Sequence, residues 1–309
     1  MNLFIKKCLL FLAIMIASAY LLDYAISEGL KKTEKNNVKV WNDIFYPQDD
    51  IDVVVAGNSR AQVHINPLIL DTILTINSYN LGINASVFEE QYIAFSKYIN
   101  SYKQLKLIIQ SIDYNLLQDD KFKHKRDVAL HIKNFNKEEM KKIGFDNYDL
   151  QLPLIRYTGA IAGVGLMEFL RIKQYKNMGY KGYVPRNIPW DGTKMEKMIA
   201  NGKIVGQKNP KMVNLFDKFL QECSQRKVKV VLVFTPQYYR SVEAIKGKED
   251  VMKVYNDLAK KYDVFLLDYT RDSLCYDTNY FYNATHLNKK GSELFSVKLA
   301  NDIKKLDIL

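Results

Sequence analysis

The sequence predicts an α/β protein built on a parallel β-sheet, and three features support this fold class. Val53–Ala56 is a short run rich in β-branched residues, typical of a strand buried on both faces. Helical stretches separate the predicted strands along the chain, and this alternation resumes after an interruption at residues 116–210. Strands separated by helices of this length imply right-handed crossovers and therefore a parallel sheet.

The first half of the predicted sheet lies between residues 51 and 113. Gly57 and Asn58 form a tight turn that presents Ser59 and leads into a short loop. Asn66 is a good N-cap, and Pro67 suits the first position of a helix. The predicted elements are strand Ile51–Ala56, helix Pro67–Ile76, strand Ser78–Leu81, helix Val87–Asn100 and strand Leu105–Ile112.

The second half follows a largely helical insertion at about residues 116–210. In the insertion, Asp119–Lys142 has the charge density of a solvated helix, whereas Leu152–Arg171 is apolar. The apolar stretch favours a buried helix, and a hairpin that dips into a membrane is the alternative. The later predicted elements are helix Asn214–Arg226, strand Val228–Phe234, the mainly helical Val242–Tyr262, strand Val264–Asp268, loop Tyr269–Asn288 and a terminal helix.

Residues 1–27 form a predicted membrane anchor or signal segment, followed by a polar stalk at residues 28–50 and the α/β domain at residues 51–309. Cys8–Leu22 carries no charge but is short for a ~30 Å hydrocarbon core. Extension through Ile26 reaches a spanning length and places Asp23 near the interface. Ala17–Ala19 offers a signal-peptidase site, but hydrophobicity continues beyond it, which favours an uncleaved anchor. The lysines that precede the apolar run predict one pass through the cytoplasmic membrane, with the rest exported.

The composition narrows the class of partner. A formal net charge of +11 is consistent with an anionic neighbour, such as a membrane surface, an acidic polymer or nucleic acid, but lysines spread along solvated faces explain it more simply than a dedicated binding patch. Nucleic acid is disfavoured because no zinc-finger, helix-turn-helix or RRM pattern accompanies the charge. Three cysteines cannot build a disulfide framework, and no metal-ligand spacing is present. We therefore predict no metal and no cofactor.

Ser59 is the candidate nucleophile because it follows the first buried strand, at the edge where open α/β sheets bind ligands. Serine needs a base to take its proton during attack. Of the four histidines, His124 and His131 lie in the charged segment and are expected to be solvated, and His64 suits a structural role. His286 lies on a loop that follows a strand, at the edge where Ser59 lies. The topology therefore predicts a Ser59–His286 pair.

Three short motifs resemble those of the SGNH/GDSL hydrolase superfamily: Gly57-Asn58-Ser59, Asn80-Leu-Gly82 and Asn283-Ala-Thr-His286. The resemblance implies the SGNH hydrolase fold, a flavodoxin-like three-layer α/β sheet. It also implies Ser59 as nucleophile, Gly82 as the second-block glycine and His286 as catalytic histidine. The layout is most similar to membrane-anchored relatives that act on acyl groups of bacterial envelope polymers, as in alginate acetylation and teichoic-acid D-alanylation.

The sequence departs from the family pattern in the residues around this pair. Asn58 stands where the family has Asp, and Asn283 stands in place of the triad Asp. Asp272 or Asp277 is the alternative acid. The third block is reduced to Asp113-Tyr-Asn115. Candidate oxyanion donors are the backbone N–H groups of Ser59 and Gly82 and the side chains of Asn84 and Asn115.

The resulting expectation is a serine-dependent acyl-ester hydrolase or O-acyltransferase that acts on an envelope glycan, lipid or polymer. The alternative is a non-catalytic glycan-binding or envelope-assembly protein with an incomplete triad. In both cases the membrane is a partner through the N-terminal helix, and envelope-assembly proteins are further candidate partners.

Overall fold

The computed structural model describes residues 3–46, 50–101, 105–175, 179–200, 206 and 208–309. The remaining positions include the first two residues of the predicted anchor and parts of the predicted stalk and insertion, and these lie outside the described residues. The chain divides into two compact units. The first comprises residues 1–42 and 122–177, and the second comprises residues 43–121 and 178–309.

The elements follow one another in this order along the chain. The helices are α1 (Leu3–Lys32), α2 (Asn36–Phe45), α3 (Ser59–His64), α4 (Pro67–Leu74), α5 (Phe88–Ser101), α6 (Lys137–Ile143), α7 (Asn147–Gln151), α8 (Gly159–Phe169), α9 (Thr193–Ala200), α10 (Pro210–Gln225), α11 (Tyr239–Glu243), α12 (Lys248–Tyr262) and α13 (Lys289–Lys305). The strands are β1 (Val53–Ala56), β2 (Ser78–Asn80), β3 (Leu107–Ile112), β4 (Lys229–Phe234), β5 (Phe265–Asp268), β6 (Phe281–Asn283) and β7 (His286–Leu287). Short 3₁₀ helices lie at Ala129–Asn134, Ser273–Tyr276 and Thr278–Tyr280.

Helix α1 dominates the first unit and is the one helix in the described residues that is long and apolar enough to span a membrane. An apolar helix this close to the N-terminus is also what a signal sequence forms. The helix continues through Lys32, beyond the predicted start of the stalk at residue 28. It continues because no proline interrupts it and because Gly29 and Leu30 are buried against α8.

The second unit contains a five-stranded sheet in the order β2-β1-β3-β4-β5, with all neighbouring strands parallel. This is the strand order of flavodoxin-like folds. Helices α3, α4 and α13 pack together, and α5, α10 and α12 form a second group. The predicted flavodoxin-like α/β fold with a parallel sheet is confirmed.

The core of the second unit follows from the alternation of side chains along each strand. Val53 and Val55 on β1 point to the face where Ala61, Ile65 and Phe295 are buried. Val54, between them, points to the opposite face and is also buried, because helices cover both sides of a parallel sheet. Both faces of β1 are therefore covered, and because the five strands are parallel, the residues that follow their carboxyl ends lie at one edge of the sheet.

Two predicted segments differ from the structure. The short loop expected after Ser59 is helix α3, which begins there because Asn58 caps it. The helical pattern at Asp119–Lys142 yields only a 3₁₀ helix and α6. His124 and His131 in this segment are buried rather than solvated. His131 Nε2 donates to Asn42 Oδ1 at 2.8 Å, and this polar partner makes its burial tolerable.

Gly57 is the residue on which the turn before Ser59 depends. Its φ of +147° is strained for any residue with a side chain, and an added Cβ would lie 2.8 Å from the Cβ atoms of Ala61 and Ser111. We expect Gly57→Ala to lower the free energy of unfolding of the second unit by about 1–3 kcal/mol. Urea unfolding monitored by circular dichroism measures this change.

Gly206→Ala is the matched control, because an added Cβ there comes no closer than 3.4 Å to any atom. Its unfolding free energy should stay within ~0.5 kcal/mol of the wild type. Equal stability of the two variants would contradict the role given to Gly57.

Candidate active site

Ser59 is the first residue of α3 and follows the carboxyl end of β1 through the Gly57-Asn58 turn. Asn58 Oδ1 accepts a hydrogen bond from the Arg60 N–H at 3.0 Å, which fixes the start of the helix. The first N–H groups of a helix have no partner within it, so the Ser59 N–H is directed out of the helix end. The side chain of Ser59 is half-buried at this position.

His286 lies on a two-stranded hairpin formed by β6 and β7. The hairpin pairs Asn283 directly with His286, with Ala284 and Thr285 forming the turn between them. The three-residue spacing seen in the sequence therefore corresponds to two facing residues of a hairpin. The sequence pattern predicts a loop over Tyr269–Asn288, whereas the structure forms this hairpin within it.

The structure brings Ser59 and His286 together. Ser59 Oγ lies 2.7 Å from His286 Nε2, a hydrogen-bond distance, as the sequence analysis expected. On the other side of the ring, His286 Nδ1 lies 2.9 Å from Asn283 Oδ1. The three side chains therefore form a continuous Ser–His–Asn chain of hydrogen bonds.

The surroundings of Asn283 fix the protonation of this chain. The Thr285 backbone N–H, which can only donate, lies 3.0 Å from Asn283 Oδ1, so that atom must be the amide oxygen. His286 Nδ1 lies 2.9 Å from the same oxygen and 3.1 Å from the Thr285 hydroxyl, and the contact with the amide oxygen is favourable when Nδ1 carries the proton. In the neutral ring Nε2 is then unprotonated and accepts the hydrogen bond from the Ser59 hydroxyl. This is the tautomer that a general base requires.

Tyr282 covers one face of the histidine ring. Its ring is stacked on that of His286, with centroids 5.3 Å apart and an interplanar angle of 12°. Burial raises the pKa of Tyr282 above its usual value, so the ring stays neutral. An aromatic face of this kind attracts a cation placed above it. Nothing in the sequence pattern identified Tyr282 as a member of the site.

His64 holds the hairpin against the helix that carries the serine. Its Nε2 accepts from the Leu287 backbone N–H at 3.0 Å, and its Nδ1 lies 2.9 Å from Thr235 Oγ1. Complete burial lowers the pKa of His64 well below its usual value, and the nearby His286 and Arg60 lower it further. His64 is therefore a neutral structural histidine, as its position in the sequence suggested.

Asp113, at the end of β3, binds the other side of the serine turn. Its carboxylate accepts from Asn58 Nδ2 at 2.6 Å and pairs with Arg60 Nη2 at 2.7 Å. It also accepts from the Asn115 backbone N–H at 2.6 Å. The asparagine at position 58 is explained by this contact, because an aspartate there would face Asp113 with a like charge. Asp113 thus holds the Gly57-Asn58 turn in place.

The candidate oxyanion donors differ in whether they already have a hydrogen-bond partner within the protein. The Gly82 N–H donates to Asn80 Oδ1 at 2.9 Å, so this group is already used within the protein, in contrast to the expectation. Asn115 is exposed, and its Oδ1 accepts from Gln118 Nε2 at 2.9 Å. Asn84 is half-buried two residues beyond Gly82. The Ser59 N–H is the candidate whose place at the helix start leaves it available.

The two alternative acids are engaged elsewhere. Asp272 pairs with Lys298 at 2.9 Å and caps the 3₁₀ helix that begins at Ser273. Asp277 accepts from the Asn279 N–H at 2.9 Å. Their carboxylates are held by these local partners, whereas Asn283 contacts His286 directly. In this arrangement Asn283, and not Asp272 or Asp277, is the residue hydrogen-bonded to His286 Nδ1.

Two cavities open at this edge of the sheet and share Tyr114. The smaller, of about 70 Å³, is lined by Arg60, Gln237 and Thr285 among others. Arg60 Nη1 and Gln237 Nε2 are buried polar atoms that have no hydrogen-bond partner among the described residues. The larger, of about 510 Å³, is lined by Asp268 at the end of β5 and by charged and aromatic residues, namely Tyr239, Glu243, Lys248, Glu249, Arg271 and Tyr276.

A further cavity, of about 370 Å³, lies where β4 and β5 begin, at the opposite edge of the sheet. Because Ser59 and His286 lie at the carboxyl edge, this third cavity belongs to another part of the unit. Within the described residues, no group of three or more His, Cys, Asp or Glu side chains is arranged to hold a metal ion. Cys8, Cys223 and Cys275 are free thiols.

Comparisons with known proteins give matches at the level of structure only. No described protein family and no curated protein matches the sequence. A solved structure from Streptococcus pneumoniae, described as a platelet activating factor, is 11% identical with a TM-score of 0.44, over 95% of this chain and 98% of that one. A lipolytic protein of the G-D-S-L family from Desulfitobacterium hafniense is 11% identical with a TM-score of 0.38, over 81% and 97% of the two chains. An acetyl xylan esterase is 12% identical with a TM-score of 0.42, over 84% and 100%.

Proposed function

We propose that the chain is a serine-dependent acyl-ester hydrolase or O-acyltransferase. The observation that carries the proposal is the Ser59–His286 contact of 2.7 Å, in which the histidine has the tautomer of a general base. A serine hydroxyl paired with an oriented imidazole is the arrangement that nucleophilic acyl transfer requires. A histidine needed only for packing would not have to present an unprotonated nitrogen to a serine hydroxyl.

The proposed reaction has two halves. Ser59 Oγ attacks the ester carbonyl carbon while its proton passes to His286 Nε2. The tetrahedral intermediate then collapses, the bond to the leaving alkoxide breaks, and His286 returns the proton to that oxygen. The acyl group stays on Ser59 until a water molecule or a sugar hydroxyl, deprotonated by the same nitrogen, attacks it. Water gives hydrolysis, and a sugar hydroxyl gives transfer.

The charges that develop during attack have different partners. The Ser59 backbone N–H at the start of α3 is the proposed donor to the oxyanion. The imidazolium that forms on His286 faces, through Nδ1, the neutral amide oxygen of Asn283 where a complete triad would have a carboxylate. The face of Tyr282, stacked on the ring, supplies part of the missing stabilisation through its π electrons. We expect such a site to be slower than one with an aspartate at this position.

The smaller cavity fits a short acyl group. An engineered cavity of ~150 Å³ admits benzene, so about half that volume suits a group of roughly three non-hydrogen atoms. The cavity of about 70 Å³ meets this requirement, and an acetyl group is of this size. Its lining residues Arg60 and Thr285 are the chain neighbours of Ser59 and His286. We therefore propose that it receives the acyl substituent of the ester.

The larger cavity, adjoining the first at Tyr114, suits the part of the substrate that carries the acyl group. Its volume of about 510 Å³ lies within the usual range of ligand sites, and both acids and bases line it. Tyr239 and Tyr276 are stacked with ring centroids 5.2 Å apart, offering an aromatic surface to a sugar ring. With α1 as an anchor in the cytoplasmic membrane and the remainder exported, the proposed substrate is an acylated glycan, lipid or polymer of the envelope.

The second candidate function is a non-catalytic glycan-binding or envelope-assembly protein. The neutral Asn283 favours it, because a triad without its acid loses much of its rate. The two functions differ in one measurable property, since only the enzyme turns over an ester.

Ser59→Ala removes the nucleophile and should lower the rate of p-nitrophenyl acetate hydrolysis by at least ~10³-fold. His286→Ala should have a comparable effect, because without the base the hydroxyl stays protonated during attack. Release of p-nitrophenolate by the full-length chain in detergent or vesicles is the measurement.

Ser224→Ala is the control, because this residue lies at the distant end of α10 and should leave the rate unchanged. A wild-type rate no higher than that of Ser59→Ala would favour the non-catalytic function.

Asn283→Asp places a carboxylate where the amide oxygen now accepts from Thr285 and His286. It keeps the histidine tautomer and adds charge stabilisation of the imidazolium, so kcat should rise. The reverse change in a serine protease costs ~10⁴-fold, which sets only the upper scale, and we expect a gain of at least ~10-fold. Asp272→Ala and Asp277→Ala in the same assay should change kcat little. If Asp272→Ala or Asp277→Ala lost most of its kcat while Asn283→Asp kept the wild-type kcat, the assignment of Asn283 as the partner of His286 would be wrong.

A further inference from the structure

Residues 148–172 of the first unit expose large apolar side chains at an unusual density. Eight such side chains are exposed in this segment: Tyr148, Leu150, Leu152, Ile155, Met167, Phe169, Leu170 and Ile172. The described part of the second unit is several times longer and exposes nine in all. Single exposed apolar residues are normal, but a concentration of them marks a surface that a membrane or another molecule covers.

The length of α1 determines where a bilayer would end along it. The uncharged run Cys8–Leu22 covers only ~22 Å, whereas the hydrocarbon core is ~30 Å thick. The helix must therefore enter lipid as far as about Ile26 to span it. Asp23 then lies ~5 Å deeper in the bilayer than Ile26, where the burial of an unpaired carboxylate costs free energy.

The structure supplies a partner for Asp23 from residues 148–172. Arg156 Nη2 lies 2.6 Å from Asp23 Oδ2, and the Leu154 backbone N–H donates to Asp23 Oδ1 at 2.8 Å. Ser27 Oγ and the Tyr157 hydroxyl lie 2.9 Å apart one turn further along α1. Because these contacts bind the loop at residues 154–157 to Asp23 and Ser27, this loop lies at the same depth in the bilayer as Asp23.

Helix α8 is bound to the next part of α1. A Cβ added to Gly29 would lie 1.7 Å from the Gly165 carbonyl oxygen, and one added to Gly165 would lie 2.4 Å from the Ile26 carbonyl oxygen. The two backbones therefore meet at Ile26–Gly29, where the span ends. Helix α8 carries a single charged residue, Glu168, which is buried and accepts a hydrogen bond from the Thr33 hydroxyl at 3.2 Å, and it exposes the side chains of Met167 and Phe169. A helix of this kind is covered either by protein or by lipid.

The charge of the surrounding segment suits a lipid surface. Residues 122–177 contain eleven Lys and Arg against six Asp and Glu. A basic segment beside a membrane-spanning helix is attracted to anionic headgroups. This complementarity, together with continuity with the uncovered side of α1, favours lipid over a protein partner as the molecule that covers the apolar side chains.

We propose that residues 150–172 form a second membrane-contacting element, in which the loop around Ile155 enters the bilayer interface beside α1 and α8 lies along the interface. Arg156 neutralises Asp23 within that interface and so completes the span of α1. The inference rests on the proposed anchoring of α1 and is independent of the chemistry at Ser59.

Tryptophan fluorescence in vesicles of phosphatidylethanolamine and phosphatidylglycerol with brominated acyl chains tests the proposal on the full-length chain. Ile155→Trp introduces the reporter in the loop, and the signal of wild type, with Trp41 and Trp190, is subtracted. Leu12→Trp, within α1, is the positive control. Leu294→Trp on α13 is the matched negative control, since Leu294 is 46% exposed and Ile155 is 53% exposed.

The expected result is quenching of Ile155→Trp to at least half that of Leu12→Trp, with Leu294→Trp unquenched. Quenching of Leu12→Trp alone would overturn the second membrane element and leave the anchor intact. Failure of Leu12→Trp to be quenched would overturn both. Hydrolysis of p-nitrophenyl acetate, measured on the same vesicles, reports separately on the proposed function.

The ion pair has its own test. Arg156→Gln leaves the Asp23 carboxylate uncompensated at the interface and should increase severalfold the fraction extracted from the vesicles by alkaline carbonate. Asp23→Asn combined with Arg156→Gln removes both charges and should restore retention. Equal extraction of the single and double variants would contradict neutralisation of Asp23 by Arg156.

Discussion

The hydrogen bond from the Leu287 N–H to His64 Nε2 determines where His286 stands relative to Ser59. Helix α3 carries Ser59 at its first residue and His64 at its last, and the hairpin carries His286 beside Leu287. Hydrogen bonds therefore join α3 and the hairpin at both ends of α3, one through Ser59 and the other through His64. Because His64 is buried and neutral, this second junction holds without a charge that would repel an imidazolium on His286. The geometry of the candidate site depends on this pair of contacts.

Asn58 and Asn283, the two residues that depart from the motifs the sequence resembles, each have a specific local partner. Asn58 donates to Asp113, which also binds Arg60, so that the turn before the serine is held by a neutral amide and a buried ion pair. Asn283 keeps the histidine tautomer through its oxygen while lacking the charge of an aspartate. The stacked ring of Tyr282 lies where it can offset part of that loss. The candidate site thus aligns a serine, an oriented histidine and a neutral asparagine through hydrogen bonds.

The sheet and the pairing of serine with histidine could be predicted from the sequence because both follow from local rules. β-branched runs such as Val53–Val55 and capping residues such as Asn66 identify elements, and a parallel sheet places its carboxyl ends at one edge. Helix α3 was missed because Arg60–His64 has no amphipathic pattern, since all its residues are buried. The roles of Tyr282, Asp113 and His64 depend on contacts between distant segments, which no spacing along the chain reveals. The same holds for Asp23, whose partner Arg156 lies in a segment far along the sequence.

The central claim is that the hydroxyl of Ser59 is an activated nucleophile. Reaction of the full-length chain with a fluorophosphonate probe, followed by peptide mapping by mass spectrometry, tests it without knowledge of the natural acyl group or acceptor. The account predicts one adduct, on Ser59, that is lost when His286 is replaced by alanine. Absence of any adduct on Ser59, or an adduct that persists unchanged without His286, would contradict it.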